Sequence, residues 1–311
     1  MQEEEFYFKS NGRDIHTYKW WNEDSEDKGI VQISHGMVEH AGRYDEFAER
    51  LTEEGFVVFA NDHRGHGETV GACEGIVCFA DRDGWRLVVE DMYNLTELIK
   101  EDYEGLPFFL FGHSMGSLLS RDYIYRHGEE LDGLILSGTS SYPGFKIKIL
   151  KMIARMQSFI KGGRSESPFL NNMVFGRYNK QFENTKTKFD WLSRDEEEVD
   201  EYIKDPECGN VPTVRFFLDL IDGIETVHEK KIIDRTPENL PILLISGDMD
   251  PVGNFGEGVE EVRDLYRYAG VTDVSCNLYE GARHELLHET NREEVFEDII
   301  IWMDERIPQK E

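Results

Sequence analysis

Cysteine is scarce. Four residues in 311, Cys73, Cys78, Cys208 and Cys276, include no Cys-x-x-Cys pair and sit in no Cys/His cluster with zinc-ligand spacing. That excludes a disulfide scaffold and points to free thiols in a reducing compartment. Basic residues are also few. Thirty-four Lys and Arg stand against 63 Asp and Glu, for a net charge of −29. So acidic a surface argues against nucleic-acid partners and against simple adhesion to anionic membrane. No apolar run approaches the roughly 18 residues that a membrane-spanning helix needs. The opening "MQEEEFYFKSNG" has no apolar core of a signal peptide. The expectation is a soluble, cytoplasmic chain. Internal repeats and low-complexity segments are absent as well.

What is present is an α/β alternation. Apolar residues make up 39% of the chain, enough for a real core. "EFYFKS" and "DIHTYKWW" alternate about "NGR", the signature of a hairpin. Continuous apolar runs at 29–36, 56–62, 107–112, 133–140, 241–248 and 273–281 read as buried strands. Between them, 44–55, 85–103, 115–131, 257–270 and 291–307 carry helical periodicity. This pattern predicts an α/β fold, a mostly parallel sheet covered on both faces with an N-terminal antiparallel hairpin at one edge. The alternation breaks over residues 141–236, where no comparable strand occurs. So long an interruption predicts an inserted helical cap, leaving 1–140 and 237–311 as the core.

The stretch "PFFLFGHSMGSLL" places Ser114 between Gly112 and Gly116, after a strand and at the start of a helix. Gly-x-Ser-x-Gly alone is weak evidence. In a strand–turn–helix it reads as a nucleophile elbow, the glycines relieving crowding on either side of a strained serine. Acyl transfer also needs two N–H donors for the oxyanion. One is expected from Met115, and the other from Met37 in "ISHGMVEHAGRY", with Gly36 allowing close approach and His35 supporting the loop. His40 and Arg43 read as loop scaffolding. An acid and a histidine should follow, each in a loop after a strand. Asp250 is favoured over Asp248, which is expected to hold loop backbone. His284 is favoured over His288. His63 and His66 form a lone His-x-x-His in a glycine-rich loop, weak as a metal site, and are expected to pack beneath the reaction centre. His16, His127 and His228 read as surface or cap residues.

Taken together, "SHGMVEHAGRY", "DHRGHGET", "GHSMG", "GDMDPVG" and "GARHELLHE" resemble the α/β-hydrolase superfamily, and within it the monoacylglycerol lipase and lysophospholipase-like serine hydrolases of bacterial type. The resemblance spans nearly the whole chain, and "FDWLSRDEEEVDEYIKDPECG" in the cap shares it. It implies Ser114 as nucleophile, Asp250 as acid, His284 as base and Met37 and Met115 as oxyanion donors, with neither cofactor nor metal. The implied substrate is a small amphiphilic ester, a monoacylglycerol or lysophospholipid. The alternatives are a general carboxylesterase for short-chain or aromatic acyl groups, an aminopeptidase-like use of the fold, and a non-catalytic ligand-binding protein. Residues 145–164 add six basic side chains, no acid, and apolar positions Ile147, Leu150, Ile153, Ala154 and Ile160. They suggest transient contact of the cap with a lipid surface.

Overall fold

The computed structural model describes residues 1–73 and 77–308. Asn11 and Gly12 both take positive φ, as a two-residue hairpin turn requires. They join β1 (Gln2–Ser10) to β2 (Arg13–Trp21). The remaining strands are β3 (Gly29–Ser34), β4 (Phe56–Asn61), β5 (Phe108–His113), β6 (Gly133–Ser137), β7 (Ile242–Gly247) and β8 (Val274–Tyr279). They form one eight-stranded sheet in the order β1-β2-β4-β3-β5-β6-β7-β8. The first two pairings, β1 with β2 and β2 with β4, are antiparallel, and all others are parallel. The hairpin therefore lies at one edge, as its position in the chain implies.

Both faces of the sheet are covered because the parallel strands are apolar on both. Ile30, Phe108, Leu110, Leu134, Leu136 and Leu244 face one layer, formed by α2 (Gly84–Asp102), α3 (Met115–His127) and, further along the chain, Glu257–Tyr268. The alternate positions Val31, Ile33, Phe109, Phe111, Ile135 and Leu243 face α1 (Asp45–Glu53) and the C-terminal helix Arg292–Asp304. Gln32 of β3 is a polar side chain buried in the middle of this sheet. It is satisfied by the Met92 carbonyl at 2.9 Å and by the Thr96 hydroxyl at 2.7 Å. The pair pins β3 to α2 in register, since an unpaired buried amide would be destabilising.

Between β6 and β7 the chain is helical: α4 (Phe145–Lys161), α5 (Pro168–Phe175), α6 (Glu196–Lys204), α7 (Val214–Val227) and α8 (Lys230–Ile233). Helix α9 (Glu257–Tyr268) follows β7, and α10 (Arg292–Asp304) follows β8. Ile147 and Ala154 of α4 pack on Val214, Phe217 and Ile221 of α7. A second apolar cluster, Trp191, Leu192, Tyr202 and Cys208 with Phe175, Tyr178 and Phe189, meets Val252 of the loop after β7. Residues from this helical segment thereby reach the carboxyl ends of the strands. Among the described residues no helix is long and apolar enough to cross a membrane.

Candidate active site

Ser114 sits between the last residue of β5 and the first of α3 with φ 50° and ψ −114°. L-residues rarely hold that conformation, and strain of this kind persists only where its surroundings enforce it. Here the glycines let the chain crowd. A Cβ on Gly116 would lie 1.9 Å from the Ser34 carbonyl oxygen, and one on Gly112 2.4 Å from Ser120 Oγ. The start of α3 therefore rests directly on the end of β3.

Two loops converge on the serine. His284 Nε2 lies 2.9 Å from Ser114 Oγ, and His284 Nδ1 lies 2.8 Å from Asp250 Oδ2. With a carboxylate at Nδ1, that nitrogen carries the proton and Nε2 is left to accept one. Asp250 is held in turn by the Val252 N–H at 2.8 Å. Asp248 has a different task. Its Oδ1 accepts the Gly281 N–H at 2.7 Å, bracing the two loops against each other. A Cβ on Gly247 would lie 2.0 Å from the Ala282 carbonyl, so only glycine permits this approach. His288 bonds Glu198 instead of the serine, at 3.1 Å.

The electrostatics suit a base. Burial alone would lower the His284 pKa. The charge and hydrogen bond of Asp250, with Glu285 and Glu39 further off, outweigh it and hold the imidazole above its ordinary value. Its neighbour His113, at 4.8 Å between ring centroids, is pushed down to about 4 by burial and by His284, and so stays neutral. On another side the Trp191 indole covers His284 at 5.1 Å. Trp191 is itself stacked on Phe175 and met edge-on by Tyr178.

The loop after β3 turns beside α3. The Gly36 N–H is taken by Glu39 Oε1, so the next N–H, that of Met37, is the free one. Among the described residues it has no acceptor within the protein. Met115, as first residue of a helix, also has an N–H that the helix leaves unpaired. His35 donates from Nδ1 to the Gly36 carbonyl at 2.7 Å and accepts the His63 N–H on Nε2 at 2.9 Å. It is a brace between two loops, kept neutral by burial.

Several features escaped the sequence. Glu39, Arg43 and Glu285 form a buried ion network. Arg43 donates to Glu39 Oε2 at 2.6 Å and to both oxygens of Glu285, at 3.0 and 2.8 Å. Glu285 follows His284 and Glu39 stands two residues after Met37, so Arg43 ties these two loops together. Gly138 is a second: with φ 59°, a Cβ there would stand 3.0 Å from His284 Cε1. His16 is the reverse case, since it is fully buried where a surface residue was expected. It bonds Asp62, whose other oxygen holds the Ala41 N–H. His63 and His66 are buried under the site and bond Ser34 Oγ and the Arg64 carbonyl.

Among the described residues, His40, Asp205 and Cys208 are a group whose donor atoms all lie within 4.8 Å of one another, as a metal ion would require. His40 Nε2 and Asp205 Oδ2 already bond each other at 2.8 Å, and burial pushes the Cys208 thiol well up. His40 and Asp205 thus already brace each other, while His40 Nδ1 has no partner among the described residues. A cavity of about 530 Å³, lined by Ser141, Tyr142, Glu225, His228 and Glu261 among others, includes none of the Ser114 constellation.

Residues 25–291 match the Hydrolase_4 family, described as serine aminopeptidase, S33. The chain is 29% identical over 300 residues to the monoglyceride lipase of Mus musculus, covering 93% of this chain and 86% of that one. It is 27% identical over 291 residues to the monoacylglycerol lipase of Mycolicibacterium smegmatis, covering 92% and 91%. Among solved structures, a highly thermostable carboxyl esterase from Bacillus coagulans in complex with glycerol superposes with a TM-score of 0.89. It shares 32% identity over 99% of this chain and 100% of that one.

Proposed function

Since this chain belongs to the Hydrolase_4 (serine aminopeptidase, S33) family of α/β-hydrolases, we propose that it is a serine-dependent carboxylic ester hydrolase acting on single-chain lipid esters through an acyl-enzyme. The observation that carries the reading is the unbroken chain from Asp250 to His284 to Ser114, at 2.8 and 2.9 Å. Ser114 Oγ attacks the ester carbonyl as its proton passes to His284 Nε2. The Met37 and Met115 N–H groups receive the oxyanion, and Asp250 steadies the imidazolium. The tetrahedral intermediate collapses, the C–O bond breaks, and His284 returns its proton to the departing alcohol. Water, deprotonated by the same histidine, then attacks the acyl-serine and releases the acid.

The relatives named monoglyceride lipase support a glyceryl ester substrate. The charge of the site favours that choice over a lysophospholipid. Asp250, Glu39 and Glu285 are buried around His284, and among the described residues Arg43 is the Lys or Arg that pairs with Glu39 and Glu285. Such a site suits a neutral glycerol leaving group better than an anionic phosphate headgroup. The aromatic wall of Phe175, Tyr178 and Trp191 beside His284 supports the second reading, an esterase for short or aromatic acyl groups.

Residues 141–236 serve in this reading as the cap, and α4 as its contact with a lipid surface. Two faces of α4 are apolar. Ile147 and Ala154 are buried on α7, whereas Phe145, Ile149, Met152, Met156 and Phe159 form an exposed stripe, and Phe169 and Met173 of α5 are exposed as well. Of the basic residues, Lys151 is committed to Asp222 and Glu225 and Arg164 to Asp81. Lys146, Lys148, Arg155 and Lys161 are exposed beside the stripe. In a protein at −29, that local cationic, apolar strip fits a lipid–water interface.

The test is labelling by a fluorophosphonate probe, expected in the wild type and lost in Ser114→Ala. Labelling retained in the variant refutes the assignment. A hydrolysis panel of monoacylglycerols, lysophospholipids and p-nitrophenyl esters then separates the two substrate readings. For docking, Glu at Lys146, Lys148 and Arg155 should slow hydrolysis of micellar esters and spare short soluble ones. Equal effects on both would sink that idea.

A further inference from the structure

Val38 follows the proposed oxyanion donor Met37, and it has φ 55°. Among the described non-glycine residues with positive φ it is the only β-branched one. A β-branched residue in that region is a genuine outlier, and it must be held there from outside. What holds it comes from the helical segment. The Val38 carbonyl accepts the Gly209 N–H at 2.9 Å and the Tyr202 hydroxyl at 3.1 Å.

The holding segment is itself anchored on the same loop. Asp205, between the two donors, bonds His40 at 2.8 Å, and the Arg43 guanidinium lies over the Tyr202 ring at 4.9 Å. Tyr202 packs on Phe189, and Gly209 (φ 68°) has no room for a Cβ, which would lie 2.8 Å from the Phe189 ring. On the other flank of the donor, Glu39 has taken the Gly36 N–H. Met37 is therefore fixed from both sides, by Glu39 before it and by the Val38 carbonyl after it.

We propose that Tyr202 is a positioning residue for the oxyanion hole: its hydroxyl holds the Val38 carbonyl, keeps Val38 in the left-handed conformation, and so keeps the Met37 N–H aimed at the reacting carbonyl oxygen. The proposal rests on reading Ser114 as nucleophile and Met37 as donor. The helical segment then does more than cover the site. It completes the hole, and any movement that withdraws Tyr202 from Val38 weakens catalysis along with coverage.

Two variants test this with a soluble p-nitrophenyl ester and a trifluoromethyl ketone that Ser114 attacks to give a tetrahedral adduct. Tyr202→Phe keeps the ring and removes the hydroxyl. Its kcat should fall about 10- to 100-fold, because a small displacement of an oxyanion donor is felt in the transition state. KM should stay within about twofold and the pH midpoint should not move. Affinity for the ketone should weaken in proportion to kcat/KM. Glycine adopts positive φ without strain, so Val38→Gly in the Tyr202→Phe background should restore most of the lost kcat. An unchanged kcat in Tyr202→Phe overturns the proposal. So does a loss confined to KM, which would mean that Tyr202 touches substrate, and so does a loss that Val38→Gly leaves in place. A wild type that hydrolyses no ester overturns the reading of Ser114 and this proposal with it. An active wild type with an unaffected Tyr202→Phe variant overturns the positioning role alone.

Discussion

Arg43→Met removes the cation that pairs with two buried carboxylates and leaves a side chain of similar length to fill the space. Arg43 contacts Glu39 at 2.6 Å and Glu285 at 2.8 Å, and all three side chains are at most 9% exposed. Replacing a whole buried network by apolar groups can be neutral, but removing one partner strands the others and costs about 3–5 kcal/mol. With roughly 2.1 cal/mol/K of unfolding entropy per residue, the 311-residue chain has an unfolding entropy of about 0.65 kcal/mol/K. A loss of about 4 kcal/mol then lowers the melting temperature by roughly 6 °C.

The pH dependence gives the prediction its sharper edge. Burial would raise both glutamates, yet Arg43 overrides it, so both are held below their ordinary range. Groups lowered on folding contribute stability above their unfolded pKa and lose it as pH falls through the folded value. Without Arg43 that contribution is gone and burial lifts both carboxyls instead. The deficit of the variant should therefore be largest near pH 7.5 and shrink toward pH 5, as the stranded carboxyls take up protons. Calorimetry of wild type and variant across this range reads it directly. A deficit below about 1 kcal/mol at pH 7.5, or one that does not change with pH, would refute the account of a stranded charge network.

Four buried histidines, His35, His63, His66 and His113, are lowered on folding, the last two to about 3 and about 4. The unfolded chain therefore binds more protons below about pH 6.5, and stability should fall there by up to about 1.4 kcal/mol per pH unit for each histidine; urea midpoints from pH 7.5 to 5 measure it, and a flat series contradicts it. His284 must be neutral to accept the serine proton and is raised on folding, so kcat/KM should climb with pH through a midpoint above 6.5. Asp250→Asn should lower kcat on the order of 10³–10⁴-fold by losing the required tautomer, with the melting temperature little changed by comparison. Gly138→Ala should inactivate more than it destabilises, because the new methyl presses on His284; Gly116→Ala, driven into the Ser34 carbonyl, should cost fold and activity together.

Much of the fold was legible because its signals are local. Asn11-Gly12 demands a hairpin turn, strands apolar on both faces demand a covered parallel sheet, and Gly112-x-Ser114-x-Gly116 demands a crowded turn into a helix. Position within each loop set Asp250 apart from Asp248 and His284 apart from His288; Asp250 and His284 bond each other, whereas Asp248 bonds the Gly281 N–H and His288 bonds Glu198. His16 was misread for the same reason. Its own strand alternates toward solvent, and nothing nearby announces that Asp62, 46 residues away, closes over it.

The sequence by itself determined the sheet and the elbow, since each follows from periodicity or turn chemistry within a few tens of residues, and chain order nominated Asp250 and His284 as partners of Ser114, although Ser114 and His284 stand 170 residues apart. The tertiary structure decided what surrounds them. Arg43 meets Glu285 across 242 residues, and Tyr202 reaches Val38 across 164. It also decided which of the two apolar faces of α4 is buried on α7 and which meets solvent. These pairings exist only once the helical segment has folded back over the strand ends. Charge and hydroxyl groups carry no local mark of the partner that burial will assign them.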